Sequence, residues 1–334
     1  MAPLCGTSHD ARWWLCTDCC GLSCALFAQG VIFFAQYVIS SELAGRNSVA
    51  SAVQATVFNA FAGLALASHL RAMLSDPGAV PKGAEPLARD SERAKLAASA
   101  AAGYRTRAKG WCHRCGSYKP PRAHHDSVTG RCIIKLDHYC PWTNNAIGVR
   151  NHKFFLLFIW YVFLMCAHAL LVVCGLAVDA LNNHPEQTPG VAACAVAVFA
   201  VLFGLFTACM LCDQWTVLST NVAKIDRLKG DPDDQEVSSG VNEIFGGKSH
   251  GFRLDWLLPT APRFPQSVHD DIMGYQAVPP PPVVVDHQVA EAAASSPLLK
   301  TTSKGGSTEA DICKVSDIES PARSGLERPA PRRP

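Results

Sequence analysis

The stretch WCHRCGSYKPPRAHHDSVTGRCIIKLDHYCPWTNNAIGVRNHK, residues 111–153, lies between two pairs of long apolar runs. It is rich in cysteine, histidine, proline and basic residues, and its apolar residues follow no long period. This composition is typical of a small domain held together by metal, because so short a segment buries too little apolar surface to fold on a hydrophobic core alone. The chain on either side of it must be a different kind of structure.

The flanking runs are long enough to cross a membrane. Uncharged, largely apolar segments occupy residues 19–39, 47–70, 154–178 and 187–212. Each reaches the roughly 20 residues that an α-helix needs to span a hydrocarbon core about 30 Å thick. Hydrophobic residues make up 49% of the 334-residue chain and charged residues only 17%, which also favours a membrane protein. We therefore predict four transmembrane helices.

The distribution of basic residues predicts the orientation of these helices. Between Ser75 and Lys153 there are 14 basic and 6 acidic residues, whereas residues 41–46 and 179–186 together contain one basic residue, Arg46. Because loops rich in lysine and arginine stay on the cytosolic side, the central loop and both termini are expected there. The loop's balance of 14 − 6 = +8 suits anionic lipid or an anionic ligand. Nucleic acid is not an expected partner, because no stacking aromatic residues alternate with the basic ones.

Four residues of the central stretch form a candidate metal site. Cys112 and Cys115 are separated by two residues, and His125 and Cys132 follow. Three sulfurs and one nitrogen suit a closed, tetrahedral structural zinc site. The predicted fold is thus an α-helical polytopic membrane protein, with four transmembrane helices and a small cytosolic zinc-binding cysteine-rich domain between the second and third.

Asp137, His138 and Cys140 form a candidate catalytic group in the same stretch. A thiol acts as a nucleophile only as its thiolate. An imidazole that removes the proton, itself oriented by a carboxylate, is the usual way to form a thiolate near neutral pH. The membrane helices nearby predict an apolar substrate.

These residues resemble the cysteine-rich domain of the DHHC protein S-acyltransferases. The matching positions are His124-His125, Asp137-His138-Tyr139-Cys140-Pro141-Trp142, Asn144-Asn145, Ile147-Gly148 and Asn151-His152-Lys153-Phe154-Phe155. Outside this window, Asp76-Pro77-Gly78 matches the family's DPG element, and four spans are its usual topology. A DHYC form of the motif is known in the family, so Tyr139 does not by itself mark an inactive enzyme.

The chain departs from the family pattern in two places. The resemblance implies that the first structural zinc binds Cys112, Cys115, His125 and Cys132. The family's second set of ligands falls on Asp126, Thr129, Tyr139 and Ala146, so a single zinc is expected. We predict that a hydrogen bond between Asp126 and Tyr139 replaces the lost metal. Where the family has Thr-Thr-x-Glu, the chain has Ala223-Lys224-Ile225-Asp226.

The resemblance also implies a reaction with two acyl transfers. The first moves a palmitoyl group from palmitoyl-CoA to Cys140, and the second moves it to cysteines of membrane-associated proteins. His138 is the implied base and Asp137 fixes its tautomer. The acyl-CoA phosphates are expected to meet Lys119, Arg122 and Lys135, unless these residues face lipid headgroups instead. A Golgi or endoplasmic reticulum membrane is the implied location.

Two other functions and one further feature remain open at this point. A catalytically inactive membrane scaffold of the same fold would explain the missing second ligand set, but not an intact Asp137, His138 and Cys140. A membrane-anchored zinc ubiquitin ligase requires two interleaved zinc sites, and the chain has ligands for one. The first membrane boundary also carries four cysteines that are either lipid attachment sites or ordinary helix residues: Cys16, Cys19, Cys20 and Cys24.

The predicted organisation has six parts. They are the N-terminus with helices one and two (1–74), a cytosolic linker with the DPG turn (75–110), the cysteine-rich catalytic domain (111–153), helices three and four (154–212), a cytosolic membrane-proximal segment (213–264) and a disordered tail (265–334).

Overall fold

The computed structural model of the protein describes residues 4–46, 48–87, 110–229, 240–246, 252–264 and 266–276, together with residues 95 and 99. Its four long helices are α1 (Cys19–Ala44), α2 (Val49–Leu74), α3 (His152–Asn182) and α4 (Val191–Thr220). Each is long and apolar enough to cross a membrane, which confirms the predicted four-helix membrane fold. Within the bundle, α3 packs against both α2 and α4, and α1 packs against α2.

Helix α4 runs eight residues past the predicted end of its apolar segment. Residue 212 closes the apolar run, but the helix continues to Thr220. The polar residues that follow have partners: Asp213 accepts from Lys224 Nζ at 3.0 Å, and Gln214 donates to Asp137 at 2.9 Å. Because Lys224 and the cysteine-rich domain supply partners for these side chains, the helix continues as a polar segment beyond its apolar run.

Shorter elements complete the described part of the chain. Three short helices are α5 (Lys224–Lys229), α6 (Gly240–Phe245) and α7 (Gln266–Met273). Eight strands pair two by two: β1 (Cys5–Gly6) with β2 (Trp13–Trp14), β3 (Trp111–Cys112) with β4 (Ser117–Tyr118), β5 (Ala123–Asp126) with β6 (Arg131–Ile134), and β7 (His138–Cys140) with β8 (Asn145–Ile147). The last three pairs are antiparallel hairpins and build the cysteine-rich domain.

Two asparagine side chains connect the β7–β8 hairpin to the end of α2 by hydrogen bonds. The side-chain amide of Asn145 lies 2.9–3.2 Å from the carbonyl oxygens of Ala72, Met73 and Ser75. Asn151 donates to the Ala72 carbonyl at 3.2 Å and to the Ala146 carbonyl at 2.9 Å. The last carbonyls of a helix lack partners within the helix, so these amides satisfy them and hold the hairpin at the membrane face.

The DPG turn lies against the same hairpin. Asp76 Oδ1 accepts hydrogen bonds from the backbone N–H groups of Gly78 and Ala79 at 2.9 and 2.7 Å. Gly148 packs so closely on this turn that a Cβ there would lie 2.5 Å from the Pro77 carbonyl oxygen. A side chain at position 148 would therefore separate the turn from the cysteine-rich domain.

The predicted disordered tail is wrong for residues 266–276. They form α7 and the residues after it, where Ile272, Met273 and Tyr275 are buried in one apolar cluster with Tyr118. Gln276 also exchanges two backbone hydrogen bonds with Glu85, at 2.8 and 3.2 Å. Burial of these apolar side chains against the cysteine-rich domain stabilises the segment, although its polar composition predicted disorder. The rest of the predicted tail, 277–334, lies outside the described residues, as does the linker 88–109 apart from positions 95 and 99.

Candidate active site and metal centre

The predicted metal ligands meet at one point. Hairpin β3–β4 carries Cys112 and Cys115, and hairpin β5–β6 places His125 directly opposite Cys132. The Sγ atom of Cys115 lies 3.2 Å from Nδ1 of His125 and 3.8 Å from Sγ of Cys132, and Cys112 Sγ lies 3.6 Å from the same Nδ1. All four ligand atoms fall within 4.8 Å of one another. Among the described residues, this is the one group of metal-ligating side chains so arranged.

The donor set fits zinc. A tetrahedral ion with Zn–S bonds of about 2.3 Å and a Zn–N bond of about 2.0 Å separates its ligand atoms by roughly 3.5–3.8 Å. The observed distances are close to this range. Burial raises the pKa of the Cys132 thiol, and the neighbouring sulfurs raise it further. A bound metal dication would lower the pKa again, because it stabilises the thiolate, the form of cysteine that binds metal.

The residues at the family's second set of ligand positions do not form a second group of metal-ligating side chains. These residues are Asp126, Thr129, Tyr139 and Ala146. Asp126 Oδ2 accepts from both the backbone N–H and the hydroxyl of Thr129, each at 2.7 Å, and so closes the β5–β6 turn. The Tyr139 hydroxyl lies 3.1 Å from Asp18 Oδ2 and 3.1 Å from Asn144 Oδ1. The predicted hydrogen bond between Asp126 and Tyr139 is therefore wrong, because each group has closer partners of its own.

An apolar cluster and the N-terminal segment pack around Tyr139. Ala146 lies opposite Tyr139 in the β7–β8 hairpin. The cluster comprises Ala79, Ile133, Leu136 and Ala146, with Trp14, Tyr139 and Ile225 packed against it. Trp14 also donates from Nε1 to Asn145 Oδ1 at 2.9 Å. Hydrophobic contact and the residues just before α1 thus stabilise this side of the domain.

Asp137, His138 and Cys140 come together at the start of β7. Nδ1 of His138 lies 2.9 Å from Asp137 Oδ2. The Cys140 thiol lies on the same strand two residues further on, and both side chains line one cavity. The ring of Phe155 packs edge-on against the imidazole with the ring centres 5.1 Å apart. The carboxylate of Asp137 thus orients the imidazole, and a thiol lies close to it along the chain.

Asp137 is buried and fully hydrogen-bonded. Its Oδ2 accepts from Gln214 Nε2 at 2.9 Å, and its Oδ1 accepts from the backbone N–H of Lys224 at 2.9 Å. Gln214 in turn lies 2.6 Å from His152 through its Oε1. Burial alone would raise the pKa of Asp137, but the hydrogen bond from His138 and the surrounding donors hold it well below its usual range. The carboxylate therefore stays ionised and acceptor-only.

The electrostatics favour a charged imidazole. Burial alone would lower the pKa of His138, but its hydrogen bond to Asp137 and the influence of the neighbouring Cys140 raise it to about 9. A histidine with so high a pKa holds the proton that it takes from the thiol. The imidazole is thus suited to hold a proton beside a reacting thiol.

An apolar cavity opens beside Cys140. It holds about 1230 Å³ of empty space, its opening included, and all four long helices contribute to its walls. His138, Cys140, Trp142 and Lys224 line it where the helices meet the cysteine-rich domain. The remaining walls are almost entirely apolar, with Ala35, Phe58, Ala169 and Val196 among the residues from the four helices. The cavity suits a hydrocarbon chain attached to the thiol.

Two of the three cations predicted to bind phosphate, Arg122 and Lys135, instead contact Glu243. Glu243 of α6 lies 2.9 Å from Arg122 and 3.4 Å from Lys135, and their side chains are 8% and 1% exposed. Lys135 also donates to Asn221 at 2.6 Å. Burial lowers the pKa of Lys135 to about 8, although Glu243 opposes the shift. These cations stabilise the protein around Glu243, which contradicts their predicted contact with phosphate; Lys119 is half-buried and has no such partner described.

Sequence reasoning missed several residues around the site. Gln214 and His152 extend the hydrogen-bonded chain behind Asp137, and Lys224 lines the cavity while its backbone orients the carboxylate. Lys224 occupies a threonine position of the family's Thr-Thr-x-Glu motif, and the acidic residue of that motif, Asp226, pairs with His124. The changed motif was visible in the sequence, but its contacts lie 87 and 102 positions away.

The fold and the site together define an integral membrane protein with a thiol-based transfer site facing an apolar cavity. The family profile of the DHHC palmitoyltransferases matches residues 105–231. Similar proteins include palmitoyltransferase ZDHHC3-A of Danio rerio (32% identical, covering 81% of this chain and 90% of the relative), palmitoyltransferase ZDHHC7 of Mus musculus (36%, 76% and 82%) and palmitoyltransferase ZDHHC3 of Homo sapiens (34%, 74% and 83%). The chain belongs to the DHHC palmitoyltransferase family and is a protein S-acyltransferase.

Proposed function

We propose that the protein transfers a palmitoyl group from palmitoyl-CoA to Cys140 and from there to cysteines of membrane-associated proteins. The observation that carries this proposal is the position of Cys140. It shares its strand and an apolar cavity among four membrane-length helices with an imidazole that a buried carboxylate holds. A thiol so placed has both an activating base and space for a long acyl chain.

In the first step, the Cys140 thiolate attacks the thioester carbonyl of acyl-CoA. A Cys140 thioester forms and the bond to the coenzyme A sulfur breaks. His138 holds the proton taken from Cys140 and gives it to the departing coenzyme A thiolate. Asp137 keeps Nδ1 of the imidazole protonated, so that Nε2 carries out both proton movements.

In the second step, the acceptor cysteine attacks the Cys140 thioester. His138 takes the acceptor's proton, and Cys140 leaves as the thiolate that began the cycle. Each step exchanges one thioester for another. In each, one thiol loses its proton and another sulfur leaves as a thiolate. The same imidazole therefore serves as base and acid in turn.

The acyl chain is proposed to lie in the apolar cavity. Burying each methylene group contributes about 0.8 kcal/mol, so a long chain is held mainly by this term. Coenzyme A would remain outside, near the half-buried Lys119 and the 42%-exposed side chain of Lys224. Either cation suits a phosphate group.

The zinc ligands are proposed to act as a structural support for the cysteine-rich domain. Cys112, Cys115, His125 and Cys132 would hold one ion and connect hairpins β3–β4 and β5–β6. The ion would have no open coordination position and would take no part in the acyl transfer.

The cysteine-rich domain and both termini are proposed to face the cytosol. The support is the excess of 14 basic over 6 acidic residues between Ser75 and Lys153, because such loops remain on the cytosolic side. A Golgi or endoplasmic reticulum membrane is the proposed location. Cytosolic cysteines at that membrane face are then the proposed protein substrates.

A chase experiment tests the transfer to protein. The purified enzyme is loaded with alkyne-tagged palmitoyl-CoA, freed of excess CoA ester, and mixed with a vesicle-bound peptide that contains one cysteine. The label is expected to leave Cys140 and appear on the peptide at matching rates. Equal labelling of the peptide with Cys140→Ser, which has no acyl-enzyme to donate, would contradict the proposal.

A further inference from the structure

The first membrane helix carries a second thiol on the face that lines the acyl cavity. Ala28, Val31 and Ala35 of α1 line the cavity that contains Cys140. Cys24 precedes Ala28 by four residues and Val31 by seven. With about 100° of rotation per residue, these spacings place Cys24 on the cavity-lining face of the helix, one turn nearer to the cysteine-rich domain.

Contacts of the neighbouring residues fix this position. Gly21, three residues before Cys24, is so close to the active-site hairpin that a Cβ would lie 2.5 Å from Asn144 Oδ1 and 2.7 Å from the Tyr139 hydroxyl oxygen. The start of α1 also packs against the turn Pro141–Thr143, which directly follows Cys140. Cys24 therefore lies on the side of α1 that faces the cavity and the hairpin carrying Cys140.

We infer that Cys24 is an internal acceptor of the acyl group, so that the enzyme S-acylates its own first membrane helix. This inference rests on the proposed acyl-Cys140 intermediate. Cys24 is partly exposed, and the helix that carries it already lines the space occupied by the acyl chain. The accepting thiol therefore belongs to the same molecule as the donor and lies on the helix face toward it, so that an intramolecular step replaces a bimolecular encounter.

The step is a thioester exchange. The Cys24 sulfur attacks the carbonyl carbon of the Cys140 thioester, a new carbon–sulfur bond forms, and the bond to Cys140 breaks. The proton of the Cys24 thiol passes to His138, and Cys140 leaves as a thiolate. No oxidant, reductant or further reactant is required, and the enzyme returns to its starting state with one acyl group on α1.

Cys19 is a matched comparison on the same helix. It lies nine residues before Ala28, which is about 180° around the helix from the cavity-lining face. Its side chain is exposed, whereas that of Cys24 is only partly so. Acylation governed by solvent access alone would favour Cys19, and acylation from Cys140 would favour Cys24.

The test is site mapping of hydroxylamine-sensitive label by mass spectrometry after incubation of the full-length protein with alkyne-palmitoyl-CoA. Wild type is expected to carry label on Cys140 and Cys24 but not on Cys19. Cys140→Ser is expected to lose the label on Cys24, and Cys24→Ala to retain the label on Cys140. Tagged Cys140→Ser mixed with wild type is expected to stay unlabelled at Cys24, because the transfer occurs within one molecule.

Three outcomes would overturn the inference while leaving the proposed function intact: label on Cys140 with none on Cys24, equal label on Cys19 and Cys24, or transfer from wild type to Cys24 of the tagged variant. Label on Cys24 that persists in Cys140→Ser would mean direct reaction with acyl-CoA and would also overturn it. Absence of label from Cys140 in folded wild type would instead refute the proposed function on which the inference rests.

Discussion

Gln214 of α4 donates a hydrogen bond of 2.9 Å to the carboxylate of Asp137, and so connects the fourth membrane helix to the residue that orients the active-site imidazole. The same amide reaches His152 at the start of α3 through its oxygen, at 2.6 Å. The bundle that forms the acyl cavity therefore also supports the catalytic group. We therefore expect binding of the acyl chain and activation of the thiol to be coupled through this contact.

Substitution Gln214→Leu is expected to slow acylation of Cys140. The change removes one hydrogen bond from Asp137 and leaves His152 without its partner, at a cost of about 1–3 kcal/mol. Single-turnover labelling with palmitoyl-CoA measures the rate. Ser219→Ala, near the end of the same helix, is the control, because the Ser219 side chain bonds only the carbonyl of Thr216. Equal rates for both variants would contradict a supporting role for Gln214.

Substitution Gly21→Ala is expected to destabilise the protein. The added Cβ would lie 2.5 Å from Asn144 Oδ1 and 2.7 Å from the Tyr139 hydroxyl, and such overpacking costs about 1–3 kcal/mol. Thermal unfolding in detergent measures the effect. Gly30→Ala on the same helix meets no atom within 4 Å and is expected to leave the unfolding temperature unchanged or raise it. An unchanged midpoint for Gly21→Ala would show that α1 does not pack on the hairpin as described.

Substitution Glu243→Gln is expected to be strongly destabilising. Arg122 and Lys135 would remain buried without the carboxylate that compensates them, and breaking a buried ion pair from one side costs about 3–5 kcal/mol. The free energy of unfolding and the expression level report the loss. Glu186→Gln is the matched control, because that carboxylate is 66% exposed beside His184. Similar unfolding of the two variants would argue against the buried cluster.

The raised pKa of His138 predicts a pH dependence of stability. Its folded-state value of about 9 lies above the ordinary value of 6.5. The favourable contribution of the charged imidazole is therefore complete below pH 6.5 and is lost as the pH rises through 9. Unfolding temperatures measured across this range are expected to fall with pH in wild type and to fall less in His138→Gln. Identical profiles would mean that the imidazole is neutral in the folded protein.

Zinc content is expected to be one ion per chain. Cys132→Ser removes a ligand from the single Cys/His group of the described residues and is expected to abolish both bound zinc and folding of the cysteine-rich domain. Elemental analysis of the purified protein measures the metal. Cys5→Ser, at an exposed cysteine outside the group, is the control and is expected to retain zinc. Two ions per wild-type chain would reveal a second site.

Short-range patterns were sufficient to predict much of this arrangement. The four membrane helices follow from uncharged runs of adequate length, and the group of Cys112, Cys115, His125 and Cys132 follows from residue type and spacing. The positions of Asp137, His138 and Cys140 are likewise local, because they occupy one strand and the residue before it. In each case, neighbouring residues along the chain carry the information.

Contacts between distant segments were not predictable in the same way. The carboxylate that Tyr139 meets is that of Asp18, 121 positions away, and not that of Asp126. Arg122 and Lys135 were expected at phosphate groups because they are basic and near the site, but Glu243 neutralises them from a different element. The burial of residues 272–275 likewise depends on a surface supplied by the cysteine-rich domain. A single sequence does not show which of several polar groups will meet in the folded chain.

The most direct test of the account is whether Cys140 carries the acyl group. Detergent-purified, zinc-loaded protein is incubated with alkyne-palmitoyl-CoA for a single turnover, and the hydroxylamine-sensitive label is mapped by mass spectrometry. We predict label on Cys140 that disappears in Cys140→Ser and falls sharply in His138→Ala while both variants keep their fold. Folded wild type without label on Cys140 would contradict the account and favour a non-catalytic scaffold of the same fold.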